Sequence, residues 1–309
     1  MFLAAPYKNN IYVYDERPIS FQVPIMPLAQ LITPAELASR PADTTRLVLD
    51  CRFALDDLAY GQRSYNEGHI PGAVFADLEQ HLSGTIVKGR TGRHPLPNPQ
   101  TLVEQLRAWG LNNDGEVILY DDGPGAFAAH VWWLLVWLGK RDNVYLLDGG
   151  LKAWKEAGLP LDHVVPERTA GDFVGVADNS LVFSAEQLEM LLGDPELTLI
   201  DARALPRFKG EVEPIDPVAG HIPGAQCAVF TDNLGSDGRF LPAEQLHARF
   251  AGLLGERSVD GLVAYCGSGV TACHNLFALS LAGYPLAPLY AGSWSEWIID
   301  PSRPVATGL

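Results

Sequence analysis

Short apolar runs alternate with longer segments along most of the chain. Residues 47–49, 117–120 and 144–147 form such runs, which are too short to be helices and therefore predict strands buried within a sheet. Thr33 and Ser184 precede segments with the pattern of capped helices, and we predict that they are N-caps. Strands that alternate with helices in this way are typical of an α/β domain whose sheet is mainly parallel.

Two kinds of helix are predicted between the strands. Residues 99–109 and 242–254 have the amphipathic pattern of helices that pack one face on a core. Residues 126–138 and 270–281 are apolar nearly all round, which predicts helices buried against the sheet. None of these apolar stretches reaches the roughly 18 residues that a membrane span requires.

The same series of four motifs occurs twice along the chain. Residues 48–52 reappear as 199–203, 68–73 reappear unchanged as 220–225, 117–121 reappear as 262–266, and 147–154 reappear more loosely as 290–297. The same order at a near-constant offset indicates two copies of one domain in tandem. We predict domains at 27–160 and 179–309, joined by a linker that contains proline and glycine.

The composition is that of a globular protein with a strong acidic excess. The 309 residues are 47% hydrophobic and carry a formal net charge of −15. A domain usually has about 150 residues, so this length agrees with two domains. An acidic protein is a poor candidate for binding the phosphate backbone of nucleic acids, and cations for an anionic substrate must be placed locally.

The N-terminus has no recognisable targeting pattern. The first ten residues lack a basic lead, a long apolar stretch and a small-residue cleavage site. We therefore expect no signal peptide, no membrane association and a cytoplasmic protein. The role of the first 25 residues is open, although their aromatic and β-branched positions would fit an additional strand.

Four cysteines are present, and one of them has an unusual setting. They form no C-x-x-C pair or zinc-ribbon spacing, so we expect neither a disulfide framework nor a metal site, and no cofactor. Cys51, Cys227 and Cys273 are interpreted as small core residues, with Cys273 as a reserve candidate for redox chemistry. Cys266, by contrast, directly follows a predicted strand and precedes the sequence Gly-Ser-Gly.

The two copies differ at the end of this strand, where the second has Cys266 and the first has Asp121. The carboxyl end of a parallel strand is where α/β proteins bind ligands. Glycines let the loop after Cys266 curl so that backbone N–H groups point inward, and a helix begins near Val270. Such a loop stabilises a thiolate or a persulfide. A carboxylate at Asp121 would fill the same pocket, so the second copy is predicted to be catalytic and the first inert.

These features resemble a known family, the two-domain rhodanese-type sulfurtransferases. The resemblance rests on Gly-His-Ile-Pro-Gly-Ala in both halves and on Cys-Gly-Ser-Gly-Val-Thr at 266–271, and it extends from about Pro27 to the C-terminus. The loop is similar to that of 3-mercaptopyruvate sulfurtransferases, whereas thiosulfate sulfurtransferases typically carry Cys-Arg-Lys-Gly-Val-Thr. It implies tandem rhodanese-like α/β domains, each a mainly parallel sheet flanked by helices, with the catalytic domain second.

The resemblance implies a persulfide mechanism at Cys266. The thiolate attacks the sulfur of 3-mercaptopyruvate, and pyruvate leaves as an enolate that must gain a proton. A Ser–His–Asp set is proposed to relay this proton in the family. Ser268 and His94 match the serine and the histidine, and Glu79 matches the acidic member, with Asp77 as a rival. An ordinary loop histidine is an alternative interpretation of His94.

The resemblance also implies how the donor is bound. Arg207 matches a substrate arginine of the family, but a second family arginine is absent because its segment is two residues shorter here. Arg90 and Arg93 could replace it if the first-domain loop closes over the cleft. The loop residues that the resemblance assigns to donor binding are Gly267, Gly269, Val270 and Thr271.

Residues shared by both copies are interpreted as structural, because only one copy is predicted to be active. They are His69 and His221, and the expected ion-pair residues Arg52 and Arg203.

The expected partner is a small-molecule sulfur donor. Thioredoxin, small thiols and cyanide are all open as acceptors, and so is the oligomeric state.

Three rival functions fit parts of the sequence. A thiosulfate:cyanide sulfurtransferase shares the fold and the persulfide but favours cations in the loop. A phosphatase with a Cys-x5-Arg loop is disfavoured because Ala272 stands where the arginine is needed. A non-catalytic sulfur carrier or protein-binding module fits the first domain. If Cys266 were simply a buried residue, an alkylating reagent would leave it unmodified at neutral pH.

Overall fold

The computed structural model describes residues 28–41, 43 and 45–309, so the additional strand considered near the N-terminus lies outside the described residues. The strands of the first half are β1 (Gln30–Ile32), β2 (Leu47–Asp50), β3 (Ala73–Phe75), β4 (Val117–Tyr120) and β5 (Val144–Leu147). Its helices are α1 (Pro34–Ser39), α2 (Tyr60–Glu67), α3 (Pro99–Ala108), α4 (Ala126–Trp137) and α5 (Gly150–Glu156).

The second half repeats these elements in the same order. Its strands are β6 (Val182–Phe183), β7 (Thr198–Asp201), β8 (Gln226–Cys227), β9 (Leu262–Tyr265) and β10 (Leu289–Tyr290). Its helices are α6 (Ala185–Leu191), α7 (Leu205–Lys209), α8 (Ala243–Leu254), α9 (Val270–Leu281) and α10 (Ser293–Trp297).

Each half contains one five-stranded parallel sheet. The strand orders are β1-β5-β4-β2-β3 and β6-β10-β9-β7-β8, so corresponding strands occupy corresponding places. The third strand of each sheet, β4 or β9, is buried along its whole length because helices cover both faces. The predicted α/β class and the parallel sheets are confirmed.

The predicted helix starts are confirmed by their hydrogen bonds. The Thr33 side chain accepts from the Glu36 N–H, and the Glu36 carboxylate accepts from the Thr33 N–H, which forms a capping box at α1. Ser184 and Gln187 form the same arrangement at α6. Each cap satisfies donors that the first helical turn would otherwise leave unpaired.

The two domains are joined through the apolar helices α4 and α9. Trp132 of α4 packs its ring edge-to-face on Phe277 of α9, with 5.0 Å between the centroids, and both side chains are fully buried. This contact explains why both helices are apolar nearly all round, since one side faces a sheet and the other faces the partner domain.

Two equivalent loops cross the domain boundary in opposite directions. Arg93 of the first domain donates its backbone N–H to Ser295 Oγ at 3.1 Å. Phe240 of the second domain donates its backbone N–H to Asp148 Oδ1 at 3.0 Å. Each loop begins with Gly-Arg, followed by His94 in one case and Phe240 in the other. Each domain therefore places a loop against the edge of the other domain's sheet.

No helix of the described residues is long and apolar enough to cross a membrane. All four cysteines are free, with Cys51, Cys266 and Cys273 buried and Cys227 half-buried.

Candidate active site

Cys266 lies directly after β9, in the middle of the second sheet. Its side chain is buried, with 2% of the residue exposed. The backbone around it is held from α10, because the Cys266 N–H donates to Ser293 Oγ at 3.1 Å and the Trp294 N–H donates to the Cys266 carbonyl at 3.0 Å. The sulfur is thus placed on rigid structure at the carboxyl edge of the sheet, as the sequence predicts.

Ser293 is a feature that the sequence reasoning missed. It has a φ of 55°, a left-handed conformation that is uncommon for a residue other than glycine. Its hydroxyl accepts from the Cys266 N–H and donates to the Tyr290 carbonyl at 2.9 Å. The equivalent residue of the first copy is Gly150, with a φ of 57°. The sequence does contain a signal for this role, because Ser293 stands where the first copy of the motif has Gly150.

The loop after Cys266 depends on two glycines for different reasons. Gly269 has a φ of 85°, and a Cβ at this position would lie 2.5 Å from the Ala291 carbonyl oxygen. Gly267 allows a close approach instead, since a Cβ there would lie 2.9 Å from Nη2 of Arg93. Helix α9 then begins at Val270, where the sequence predicts it.

Ser268, His94 and Glu79 form one chain of hydrogen bonds across the domain boundary. Ser268 Oγ lies 2.8 Å from His94 Nδ1, and His94 Nε2 lies 3.1 Å from Glu79 Oε1. Since the carboxylate accepts from Nε2, the neutral imidazole accepts the Ser268 proton at Nδ1. Burial lowers the pKa of His94, with the Glu79 carboxylate opposing this shift. The Asp77 carboxylate instead accepts backbone N–H groups of its own turn.

Arg207 lies beside the same loop and is held by two carboxylates. Glu213 accepts from its Nε at 3.1 Å and from its Nη2 at 2.8 Å, and Asp216 accepts from Nη2 at 3.0 Å. The other oxygen of Asp216 pairs with Nη1 of Arg93. Of the two arginines that the sequence offered as replacements, the structure places Arg93 at the loop, whereas Arg90 is exposed.

The pocket of the first domain is filled by Asp121. Its carboxylate accepts backbone N–H groups from Gly123 at 3.0 Å, Gly125 at 2.9 Å and Phe127 at 3.0 Å. Burial raises the pKa of Asp121, although these hydrogen bonds oppose the shift. The carboxylate occupies the amide nest, as the sequence predicts, and the inertness of this pocket stays a prediction.

Phe240 covers this filled pocket from the second domain. A Cβ on Gly125 would lie 3.4 Å from the Phe240 ring, and that ring stacks on His274 with 4.6 Å between centroids. His274 in turn bonds the Pro124 carbonyl through Nε2 at 2.8 Å. The position that supplies His94 to one pocket therefore supplies an apolar cover to the other.

The remaining cysteines and the shared residues make structural contacts. Burial raises the pKa of Cys51 and of Cys273 well above the ordinary range, and the Cys273 thiol donates to the Gly269 carbonyl. Arg52 and Arg203 form buried ion pairs with the aspartates two residues before them. His69 and His221 stack on neighbouring aromatic rings and bond backbone carbonyls.

A search of residues 28–41, 43 and 45–309 finds no group of three or more His, Cys, Asp or Glu side chains that could hold a metal ion.

Known proteins resemble this chain in sequence and in structure. A family model described as a rhodanese-like domain matches residues 33–157 and 184–300. A probable 3-mercaptopyruvate sulfurtransferase of Pseudomonas aeruginosa is 69% identical over 283 residues, which cover 92% of this chain and 100% of that one. A putative thiosulfate sulfurtransferase of Mycobacterium tuberculosis is 42% identical over 285 residues, with 90% and 97% covered.

A solved structure extends the likeness to three dimensions. The crystal structure of SseA from Escherichia coli, described in terms of the rhodanese fold and mechanism of 3-mercaptopyruvate sulfotransferases, has a TM-score of 0.74 and 33% identity to this chain. The match covers 87% of this chain and 100% of that one. The chain therefore belongs to the rhodanese-like family and is a two-domain sulfurtransferase.

Proposed function

We propose that this protein transfers sulfur from 3-mercaptopyruvate to a thiol or cyanide acceptor through a persulfide on Cys266. The observation that carries the proposal is the hydrogen bond between Ser268, on the cysteine loop, and His94 of the other domain. A proton relay beside the nucleophile suits a donor whose leaving group is a carbanion equivalent. The names of the relatives in Pseudomonas aeruginosa and Escherichia coli support the same donor.

The first half-reaction joins two sulfur atoms at Cys266. The thiolate attacks the donor sulfur, so that an S–S bond forms and the bond between sulfur and C3 of 3-mercaptopyruvate breaks. The electron pair passes to C3, which becomes the enolate carbon of pyruvate. The two sulfurs are oxidised jointly by two electrons and C3 is reduced by two, so no external oxidant is needed.

The relay returns one proton from sulfur to carbon. Neutral His94 accepts the Ser268 proton, and Ser268 takes the proton of the donor thiol. The same path then delivers this proton to C3, which releases pyruvate and leaves a persulfide anion on Cys266. Glu79 accepts from the other ring nitrogen and thereby holds the imidazole in the required tautomer.

The first-domain pocket indicates which amides would hold the outer sulfur. Asp121 binds the N–H groups of Gly125, Phe127 and Ala128, with distances up to 3.5 Å. Gly125 and Gly269 are the left-handed N-cap residues of α4 and α9, so the two helix starts match Phe127 and Ala128 with Thr271 and Ala272, although the loop after Asp121 is one residue longer than the loop after Cys266. A persulfide anion extends Cys266 by one atom, so it can occupy the place that the carboxylate fills in the other pocket.

Thiosulfate is the second candidate donor, because two arginines lie beside the loop. Gly267 and Ser268 carry no charge, but Arg93 and Arg207 bring guanidinium groups to Gly267 from other parts of the fold. The Mycobacterium tuberculosis relative is named for thiosulfate. Both guanidinium groups are paired with carboxylates, however, and this pairing weakens the attraction for a dianion.

The acceptor must reach Cys266 in a site where only 2% of this residue is exposed. Small thiols, cyanide and thioredoxin all stay open as acceptors that attack the outer sulfur of the persulfide. The cytoplasmic location expected from the N-terminus stays a prediction.

A donor screen tests the proposed function. The purified protein is supplied with 3-mercaptopyruvate or thiosulfate, and pyruvate and thiocyanate are measured with cyanide as acceptor. We expect faster turnover with 3-mercaptopyruvate and a mass increase of one sulfur located at Cys266. A sulfur found only on another cysteine, or a higher kcat/KM with thiosulfate, would contradict the proposal.

A further inference from the structure

Two guanidinium groups approach the cysteine loop from different domains. A Cβ on Gly267 would lie 2.9 Å from Nη2 of Arg93 and 3.6 Å from Nη1 of Arg207. Among the residues that the structure describes, neither of these nitrogens has a hydrogen-bond partner. Two cationic donors with free N–H groups therefore face the residue next to Cys266.

Asp216 fixes both groups in this position. One of its oxygens pairs with Nη1 of Arg93, and the other accepts from Nη2 of Arg207 at 3.0 Å. The Asp216 side chain is only 4% exposed. A buried carboxylate that bridges two arginines from separate domains holds their remaining N–H groups in place before any donor arrives.

The charges of this cluster balance. Three arginines and three acidic residues are linked by ion pairs, and they are Arg93, Arg203, Arg207, Asp201, Glu213 and Asp216. A singly charged carboxylate can gain two charge-assisted hydrogen bonds there at small electrostatic cost. A doubly charged donor would need excess positive charge, which Asp216 and Glu213 remove.

We propose that Arg93 acts in place of the absent second substrate arginine, and that Asp216 determines the preference for a monoanionic carboxylate donor over thiosulfate. This inference rests on the proposed function, since it concerns how the donor of that reaction is held. Because Arg93 directly precedes His94, the same first-domain loop brings both the donor anchor and the proton relay to Cys266.

Substitution of Arg93 tests the anchor. In Arg93→Ala we expect kcat/KM for 3-mercaptopyruvate to fall roughly ten- to a hundred-fold, mainly through KM. The neutral analogue mercaptoacetone has the same thiol and ketone but no carboxylate, so its kcat/KM should change by no more than about two-fold. Equal losses with both donors would show that Arg93 only positions His94 and would overturn the assignment.

Substitution of Asp216 tests the donor preference. In Asp216→Asn we expect the ratio of kcat/KM for thiosulfate to that for 3-mercaptopyruvate to rise by roughly ten-fold, because one positive charge is uncovered. Glu211→Gln is the matched control, since it removes an exposed carboxylate of the same loop. An unchanged ratio in Asp216→Asn, or an equal rise in both variants, would refute the role of Asp216.

The wild-type protein separates this inference from the proposed function. Failure of the wild type to release pyruvate from 3-mercaptopyruvate would refute the function itself. Normal wild-type turnover with unchanged Arg93→Ala kinetics would refute only the inference. Thermal unfolding of each variant verifies that a loss of rate is not a loss of fold.

Discussion

The pocket at Cys266 and the pocket at Asp121 are built by equivalent elements of the two domains, yet they are opposite in chemistry. Each lies after the central strand of a five-stranded parallel sheet, and each is covered by a loop from the other domain. In one pocket the amide nest is occupied by a carboxylate of the chain itself. In the other, the side chain at this position is a thiol.

The loops that cover the two pockets also differ in chemistry. His94 connects the Cys266 pocket to Glu79, whereas Phe240 packs on His274 above the Asp121 pocket. One copy of the loop therefore supplies a titratable group and the other supplies apolar contact. The two copies therefore keep the same backbone plan while their strand-end and loop residues differ in chemistry, which is the contrast expected if only the second copy is catalytic.

Substitution of the residues at the two strand ends, Cys266 and Asp121, should have the largest effect on sulfur transfer. We expect Cys266→Ser to abolish sulfur transfer with the fold retained, because a hydroxyl is far less acidic than a thiol and cannot form a persulfide. Asp121→Cys in the Cys266→Ser background should stay inactive, since its pocket has Phe240 where a relay histidine is needed and Pro124 lacks an N–H group. Measurable transfer by this double variant would contradict the division between the pockets.

Substitution of His94 in the loop that covers the Cys266 pocket should have the next largest effect on kcat. His94→Phe copies the loop of the inert pocket, and we expect kcat to fall by about 100-fold or more because the proton relay is lost. The matched control is Phe240→Leu, which should lower the free energy of unfolding by roughly 1 kcal/mol and leave kcat nearly unchanged. If both variants alter only stability, His94 has no part in the chemistry.

Loss of Arg207, which we propose binds the donor carboxylate, should have an intermediate effect. In Arg207→Ala we expect kcat/KM for 3-mercaptopyruvate to fall roughly ten- to a hundred-fold, because a charge-assisted hydrogen bond contributes about 1.5–3 kcal/mol. Arg207→Lys should recover part of the loss, since the charge remains while the paired donors do not. Steady-state kinetics give the comparison, and unchanged kinetics in Arg207→Ala would place the donor carboxylate elsewhere.

Replacement of Ser293 by the residue of the inert copy should have a smaller effect. Ser293→Gly keeps the left-handed backbone of Gly150 but removes the hydroxyl that accepts from the Cys266 N–H. We expect the rate of Cys266 alkylation and kcat to fall several-fold, as a lost hydrogen bond of about 1 kcal/mol predicts. A rate equal to that of the wild type would show that Ser293 serves only the backbone.

The smallest expected change is a shift of the acid limb in the pH dependence of kcat. Protonation of His94 removes its acceptor nitrogen, so activity falls as the pH drops below the His94 pKa. Burial lowers this pKa below 6.5 and the Glu79 carboxylate raises it. Glu79→Gln should therefore move the acid limb to lower pH, and a shift to higher pH would contradict the assigned contact.

Much of the fold and part of the site could be predicted from local patterns. Strands, buried helices and the caps at Thr33 and Ser184 follow from periodicity and side-chain chemistry within a few residues. The contrast between Cys266 and Asp121 was visible because the duplication places them at one position. These features depend on neighbours in the sequence, so one chain without relatives is sufficient to find them.

Only the tertiary structure decided which distant residues meet. Ser268 and His94 are 174 positions apart, and their contact exists because α4 and α9 dock the two domains. The same docking brings Arg93, and not Arg90, to the loop, and it joins Arg93 to Arg207 through Asp216. Hydrophobic periodicity specifies which face of an element is buried, but it does not specify which loop of another domain will lie above that element. The amino-acid sequence alone therefore determined the duplicated α/β fold and the candidate nucleophile, while the docked domains determined which residues form the proposed relay and the charge balance around Arg93 and Arg207.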